Sequence, residues 1–423
     1  MPEYKKKKVR KTVHSKRAKN VNNDIKMKPS RAKEHIGVLP EKEMRVVKGN
    51  KLERNRKLRI LGITAVLLVA VIMLVSYIMP VSLSENVTNL IALTGNGGYP
   101  IEISGAQTLN AVSKGSYYYV LTDTNLSAFS NSGKQMLSVA HGFSNPVLKT
   151  SQTRAIIFEQ GGNTLYVYNL KRLVKSIETK SSIITASISR SGAFAVVTGS
   201  NEYTATVTVY NKRGNQIYQW NSAKNIVNNV CVSPSGKKIA VSTLNASGGQ
   251  YVSCVEVLTF DSADAKAKFE YSGEIVYSLE NTRKGFLALT KSGSSYVSWS
   301  KYSKQDINNE RMLDMYRTDG NRSLLVFNRT SDKSDNIIML LSSKGDKISE
   351  FQFNGIISDI EVSRGHIYCI SDTKIYLFDK NGNVVRTGEC GYGCKKIAAI
   401  ASNTVAVISD SSIEKVQIEG VNK

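Results

Sequence analysis

The sequence predicts an all-β domain that follows one transmembrane helix and a disordered basic tail. Three observations lead to this prediction. Residues 1–59 contain 21 Lys or Arg and 6 Asp or Glu, Ile60–Met79 carries no charge, and the chain after Met79 alternates short β-type segments with turns. The expected domains are a tail at 1–59, a transmembrane helix at 60–79, a linker at 80–98 and a large β domain at 99–423.

The tail has too few large apolar residues to form a core, so we expect it to be disordered. Its basic clusters should contact anionic headgroups at the membrane surface, where each basic residue contributes about 1 kcal/mol. A cytoplasmic docking partner is an alternative, and nucleic acid is not an expected partner. The residues assigned to the membrane surface and to topology are Lys5, Lys6, Lys7, Lys8, Arg54, Arg56, Lys57 and Arg59.

The apolar segment Ile60–Met79 has 20 residues, the length of a helix that crosses a ~30 Å hydrocarbon core. Basic residues precede it, and no Lys or Arg occurs from Pro80 to Ser113. The positive-inside rule therefore predicts a single-pass protein of the cell membrane, with its tail in the cytoplasm and its large domain outside. A signal peptide cleaved near Ser82–Ser84 is the alternative, but its basic and apolar regions would normally be much shorter.

Two turn patterns recur in the large domain. One is an apolar residue, three turn residues and a glycine, as in Phe129–Gly133; the other is Ser-x-Ser-Gly before a β-type run, as in Ser189–Gly192. Glycine suits both, because such turns need a residue at positive φ. The glycines assigned to these turns are Gly133, Gly192, Gly214, Gly236, Gly345 and Gly382.

The turn patterns alternate in units of roughly 40 residues, the length of a four-stranded propeller blade. They predict a C-terminal β-propeller of eight blades, with seven as the alternative because the outer strand of the fifth unit, near Lys304–Asn309, is weak. Glu310–Arg317 is the nearest candidate for a helix. The last unit lacks an outer strand, which Pro100–Ser104 could supply to close the ring. The eight units begin near Leu109, Val147, Ile183, Val227, Ile275, Met312, Ile357 and Ile397.

The turn glycines and the run Ser233–Val241 resemble the WD40-like and quinoprotein-like repeats of β-propellers. A basic tail, one membrane span and a propeller together resemble the uncharacterised membrane-anchored β-propeller proteins of Gram-positive bacteria, a family with a domain of unknown function. By layout the resemblance covers residues 1–423. It implies the fold but no activity, since the Gly-His and Trp-Asp signatures of true WD40 repeats are absent.

Few residues of the large domain suggest chemistry. His141 and His366 are its only histidines, so a histidine-based metal site or catalytic base would need one of them. We expect both to be structural, and we expect no cofactor, no metal and no enzymatic activity. The acidic turn residues lack the ordered spacing of a calcium loop; they are Asp332, Asp335, Asp346, Asp372 and Asp379.

Cys390 and Cys394 flank a glycine-rich turn and could form a disulfide in an oxidising compartment or remain free thiols. Aromatic residues are expected mainly to pack between blades, with a few at the rim available for a protein or a glycan. These aromatic residues are Tyr117, Tyr118, Tyr119, Tyr166, Tyr168, Tyr218, Trp220, Tyr296, Trp299 and Tyr302.

The expected function is a non-enzymatic scaffold outside the membrane that binds another protein of the cell envelope, in division, wall synthesis or secretion. A module that binds wall glycan is the first alternative. A divergent propeller hydrolase or a quinone-dependent oxidoreductase is the third interpretation, although no matching set of residues supports it.

Overall fold

The computed structural model describes residues 58–69, 89–309, 311–329 and 331–420. The chain divides into two compact units, Met1–Val69 and Ala70–Lys423. The described part of the first unit is a helix, α1, at 58–69, and its large apolar side chains are exposed.

No helix in the described ranges is long and apolar enough to cross a membrane. The predicted transmembrane helix Ile60–Met79 continues into residues 70–79, which lie outside those ranges. Residues 1–57 of the predicted tail also lie outside the described ranges, together with all of its assigned basic residues except Arg59. Arg59 is exposed on α1.

The second unit contains a short helix, α2, at 89–93 and 33 strands that form eight antiparallel sheets. Each sheet is a propeller blade with strands A to D from the centre outwards. The strands up to blade 4 are β1 (Ile101–Glu102), β2 (Thr108–Ser113), β3 (Tyr117–Thr122), β4 (Asn125–Ser130), β5 (Gln135–Ala140), β6 (Pro146–Thr150), β7 (Ala155–Glu159), β8 (Thr164–Tyr168), β9 (Leu173–Glu178), β10 (Ile183–Ile188), β11 (Phe194–Thr198), β12 (Ala205–Tyr210), β13 (Gln216–Ser222), β14 (Ile226–Val232), β15 (Lys238–Ser247), β16 (Gln250–Thr259) and β17 (Ala267–Ser272).

Blades 5 to 8 follow the same order, and the chain ends with one additional short strand. Their strands are β18 (Ser278–Asn281), β19 (Gly285–Leu289), β20 (Gly293–Ser298), β21 (Lys304–Asn308), β22 (Met312–Thr318), β23 (Arg322–Asn328), β24 (Asp335–Ser342), β25 (Lys347–Asn354), β26 (Ile357–Ser363), β27 (His366–Ser371), β28 (Lys374–Phe378), β29 (Val384–Glu389), β30 (Lys396–Ala401), β31 (Thr404–Ile408), β32 (Ser412–Gln417) and β33 (Glu419–Gly420).

The prediction of eight blades is confirmed, and the seven-bladed alternative is wrong. The doubtful outer strand of the fifth unit is β21, fully paired with β20. Glu310–Arg317 is not helical where described; it overlaps β22, the A strand of blade 6. A register shift between Leu313 and Met315 interrupts the alternation of this strand, which is why its sequence pattern resembles a helix.

The ring closes with strands from both ends of the domain, as predicted. Ile101 and Glu102 of β1 pair with Ile413 and Ser412 of β32 and so supply strand D of blade 8. The last described strand, β33, was not expected; it pairs with β29 and covers the outer edge of blade 7.

The hydrophobic core consists of eight clusters, one between each pair of neighbouring blades. The cluster between blades 8 and 1 packs Ala398 and Ile408 against Tyr118 and Phe129, so this junction is as well packed as the others. Strands with neighbours on both faces are buried on both faces: every residue of β3 (Tyr117–Thr122) is buried. All the strands that close the ring lie within the second compact unit, so residues 80–423 contain a complete domain.

The six glycines assigned to blade turns all have positive φ, and some also lie where no side chain fits. At Gly382, with φ +88°, a Cβ would lie 2.3 Å from the ring of Phe351 in blade 6. The backbone conformation and the close approach of two blades therefore both require glycine at this position.

We expect Gly382→Ala to lower the free energy of unfolding by about 2–4 kcal/mol, because it combines a strained backbone with overpacking. Gly161→Ala is the matched control, since Gly161 has φ +85° and a Cβ added there would meet no heavy atom within 4 Å. Only the backbone cost, about 1–2 kcal/mol, should remain there. Urea denaturation of residues 80–423 measures both, and equal losses would contradict the account of blade packing.

Candidate functional site

The antiparallel order of each blade places its turns at two opposite ends. Strands A and C run in one direction, and strands B and D run in the other. The A–B and C–D turns therefore lie on one face of the propeller. The B–C turns and the connections between blades lie on the opposite face.

The A–B and C–D turns carry a large excess of positive charge, and we call this side the basic face. Its acidic residues are only Asp261, Asp264, Asp319, Asp346 and Asp379. Its 16 basic residues are Lys114, Lys134, Arg154, Lys171, Arg172, Arg190, Lys212, Arg213, Lys237, Lys266, Arg283, Lys284, Lys301, Lys344, Arg364 and Lys380. All of them except Arg154 reach the surface.

The B–C turns and blade connections carry almost balanced charge, and we call this side the neutral face. Its described basic residues are Lys180, Lys224, Lys291, Arg311, Arg329, Lys333 and Lys395. Its described acidic residues are Asp123, Glu202, Glu274, Asp332, Asp372 and Asp410. The charge of the propeller loops is thus concentrated on one side.

The neutral face also exposes large apolar side chains within its loops, whereas the described turns of the basic face expose none. Ile226, Tyr251 and Met312 add to this surface from adjoining strand ends, as Leu173 and Val384 do on the basic face. The loop residues are Tyr203, Ile275, Tyr277, Ile356 and Tyr392, of which Tyr392 is almost fully exposed.

Blade 4 projects furthest on the neutral side, because β15 and β16 have ten residues each. Pairing of β15 with β14 ends at Leu244, and pairing of β16 with β17 ends at Val252. The tip Asn245–Gln250 therefore has no neighbouring strand on either side, and all its residues are exposed and uncharged. Next to this tip, the Gly273 N–H donates to the backbone oxygen of Tyr251 at 2.8 Å and holds the following blade connection against the hairpin.

The chain enters the propeller on the basic face. In α2, the Asn89 side-chain amide donates to a backbone oxygen in the A–B turn of blade 2 at 3.3 Å. Lys134 Nζ, from the C–D turn of blade 1, donates to the Ala92 oxygen at 3.3 Å. Ala92 is buried in the cluster between blades 1 and 2, whereas Leu90 and Ile91 are exposed.

A central channel of about 1330 Å³ is lined by the A strands of all eight blades. Behind the channel wall, in the A strand of blade 7, lies the buried carboxylate of Asp359, which is 1% exposed. Arg317 Nη2 lies 2.5 Å from Asp359 Oδ1, and the Ile397 N–H donates to Asp359 Oδ2 at 3.0 Å. The neighbouring blades 6, 7 and 8 are therefore joined by one ionic and hydrogen-bonded cluster.

Other ionisable groups face the same channel. Burial raises the pKa of Glu361 to about 8, although its carboxylate accepts the Ala399 N–H at 3.1 Å. The Glu280 carboxylate accepts the Tyr316 hydroxyl at 3.0 Å, and its charge is the main reason that the pKa of Tyr316 is raised. Burial lowers the pKa of Lys114, an effect that Glu280 and Glu361 oppose. The channel thus holds paired charges of both signs, as in a structural network.

The residues that could perform chemistry are engaged in packing. The Nδ1 atom of buried His141 accepts the Phe143 N–H at 3.0 Å, and its Nε2 atom lies 3.1 Å from the Thr122 oxygen. His366 begins β27 next to Tyr368. Burial holds the pKa of the channel-lining Cys231 thiol well above its usual range, which makes it a poor nucleophile. Within the described ranges, no group of three or more His, Cys, Asp or Glu could hold a metal ion.

Cys390 and Cys394 are free thiols in the structure, and the Cys394 thiol donates to the backbone oxygen of Cys390. Burial raises the pKa of Cys390 to about 12. The turn between them carries Tyr392 on the neutral face.

None of the ten aromatic residues singled out in the sequence is exposed. Six are buried and four, Tyr166, Tyr218, Trp220 and Tyr302, are half-buried. Tyr218, Trp220 and Phe260 line a shallow groove of about 550 Å³ between blades 3 and 4, together with Gln219, Asn221 and Asp261.

Sequence reasoning missed both the charge difference between the faces and the channel cluster. The charge difference becomes visible when the charges of the A–B and C–D turns are added separately from those of the other loops, because every second turn along the chain lies on the same face. The second has a weaker signal: Asp359 and Glu361 are two residues apart in an A strand and therefore point to the same side.

The comparison with one solved structure supports the fold. The C-terminal WD40 domain of Sif2 is similar over 77% of this chain and 100% of that domain, with a TM-score of 0.53 and 12% identity. The structure of BamB from Moraxella catarrhalis matches over 75% of this chain and 98% of that one, with a TM-score of 0.47 and 10% identity. No curated protein matches this chain in sequence. Residues 94–418 match a family described as of unknown function (DUF5711), so the chain belongs to the DUF5711 family.

Proposed function

We propose that this protein is a non-enzymatic scaffold of the cell envelope that binds another envelope protein through the neutral face of its propeller. The observation that carries the proposal is the set of exposed apolar side chains on that face, of which Tyr251, Ile275 and Tyr277 lie in or next to the projecting hairpin of blade 4. Tyrosine and aliphatic side chains exposed on a rigid frame are suited to act as anchors in a protein interface.

The hairpin tip adds a second mode of contact. Since no other blade strand flanks the two sides of the hairpin at Asn245–Gln250, the outward-facing backbone groups there are free to pair with an extended segment of the partner. The absence of charge at the tip favours such pairing, because no ionised side chain has to be desolvated when a strand is added.

The proposed location is outside the cell membrane, with Ile60–Met79 as a single membrane anchor and the tail 1–59 on the cytoplasmic inner leaflet. Support comes from the uncharged length of this segment and from the charge difference between its flanks. The proposed partner belongs to the division, wall synthesis or secretion machinery.

In-cell crosslinking followed by affinity purification of the full chain tests the protein-binding role. We expect the pair Tyr251→Ser and Ile275→Ser to lower recovery of the crosslinked partner at least tenfold, because truncating two interface anchors typically costs that much. The matched control is Ile217→Ser with Val385→Ser, which removes two similarly exposed apolar side chains from outer D strands. Equal recovery from both pairs would contradict docking on the neutral face.

A wall-glycan-binding module is the second candidate, and the groove lined by Tyr218, Trp220 and Phe260 favours it. Aromatic faces beside amide and carboxylate groups are suited to stack on sugar rings and bond their hydroxyls. Mixing residues 80–423 with isolated cell wall separates the candidates. Pelleting with wall that Trp220→Ala abolishes would favour the glycan module, whereas no pelleting would favour the protein scaffold.

A further inference from the structure

We propose that the basic face of the propeller lies against the anionic lipid headgroups of the membrane's outer surface. This inference uses the membrane anchoring of the proposed function, but it does not depend on the protein partner. It gives the two faces separate roles: one rests on lipid, and the other remains free for docking.

Charge is the first argument. The turns of the basic face hold 16 Lys or Arg and 5 Asp, against 7 and 6 in the described loops of the neutral face. At physiological salt an exposed charge acts over about 8 Å, so a surface is attracted mainly through the loops that face it. Only the basic face offers a broad positive surface to a layer of lipid phosphates.

The path of the chain is the second argument. The predicted anchor ends at Met79, and the first described residue after it, Asn89, lies on the basic face. The nine residues between them can span at most about 30 Å. If the neutral face were turned to the membrane, the chain would also have to pass the depth of a blade, about 20 Å for a six-residue strand. The basic face is therefore the side that this connection reaches without that detour.

The third argument is the surface of α2 itself. Leu90 and Ile91 are 66% and 55% exposed, next to the contact that Lys134 makes with α2. Aliphatic side chains beside basic residues are the combination that binds the interfacial layer of a bilayer. Leu90 and Ile91 would enter that layer while the surrounding lysines and arginines contact phosphates.

Sedimentation of residues 80–423 with vesicles tests the inference without the anchor. We expect binding to vesicles of phosphatidylglycerol and phosphatidylcholine, weakening steeply from 0.05 to 0.5 M salt, and little binding to pure phosphatidylcholine. The triple variant Lys171→Glu, Arg172→Glu and Arg213→Glu should bind at least tenfold more weakly. All three side chains are exposed on the C–D turns of blades 2 and 3.

The matched control is Lys180→Glu, Lys224→Glu and Lys291→Glu, which changes net charge equally on the neutral face. It should bind vesicles nearly as well as the wild type, and Leu90→Ser with Ile91→Ser should weaken binding at constant charge. Equal loss in both charge variants would overturn the proposal. So would binding to soluble polyglycerol phosphate without binding to vesicles, which would assign the basic face to wall polymer. Neither result would affect the crosslinking test of the protein partner.

Discussion

Arg317→Met is expected to lower the free energy of unfolding by about 3 kcal/mol, because it leaves the buried carboxylate of Asp359 without its closest cation. The side chain of Asp359 is 2% exposed, and the next cation, Lys396 Nζ, lies 3.9 Å away. The loss should appear as a lower midpoint in urea denaturation, with the slope unchanged.

A second substitution separates this charge effect from lost packing. Adding Asp359→Asn removes the buried charge and keeps an oxygen that can accept the Ile397 N–H, so most of the stability should return. Lys347→Met is the surface control: its pair with Glu350 is largely exposed, and its loss should cost less than about 1 kcal/mol. No recovery in the double variant would show that Arg317 acts by packing alone.

Stability should fall as pH rises from about 4.5 to about 8, and Glu361 should account for much of the fall. Its pKa is raised in the folded state to about 8, chiefly by burial, so the folded protein retains a proton that the unfolded chain releases in this range. A group with a raised folded pKa stabilises below its unfolded pKa, and that contribution is lost as pH approaches the folded value. The full change is about 5 kcal/mol, at 1.36 kcal/mol per pKa unit.

Glu361→Gln should remove this dependence, since the amide is neutral at every pH and keeps an oxygen for the Ala399 N–H. Urea denaturation should find the variant and the wild type similar at pH 5 and the variant more stable at pH 9. Glu350→Gln, at an exposed position, should leave the pH dependence of the wild type unchanged. Parallel pH profiles for the wild type and Glu361→Gln would contradict the burial of a protonated carboxyl in the channel.

The number of blades was predictable because glycine-containing turns recur with each blade. In addition, a closed ring requires that every blade bury both faces of its sheet against its neighbours. The elements that were hard to predict lie where that pattern is weakest. Strand β21, Lys304–Asn308, is the outer strand of its blade and has few neighbouring elements. Polar residues are therefore tolerated in it, and its alternation of apolar and polar residues is weak. At β22 the register shift hides the two-residue period.

The candidate site was less predictable, because it depends on which turns meet in space. Tyr117, Tyr118 and Tyr119 pack between blades as the aromatic residues were mainly expected to do, with blades 8 and 2 burying all three. Tyr251 was not singled out, although it is exposed beside the projecting hairpin. Aromatic residues within a strand tend to be buried in the core, whereas those at turns remain at the surface. To tell the two apart, one must know where each strand ends, and strand ends are the least certain part of a sequence-based assignment.

Site-specific photocrosslinking in cells is the most direct test of the central claim, that the neutral face binds protein while the basic face lies on lipid. A photoreactive residue at Tyr251 would probe the neutral face, and one at Arg213 would probe the basic face, both in the full chain. We expect a discrete protein adduct from position 251 and lipid adducts without a protein adduct from position 213. A protein adduct from position 213 together with none from position 251 would contradict the claim.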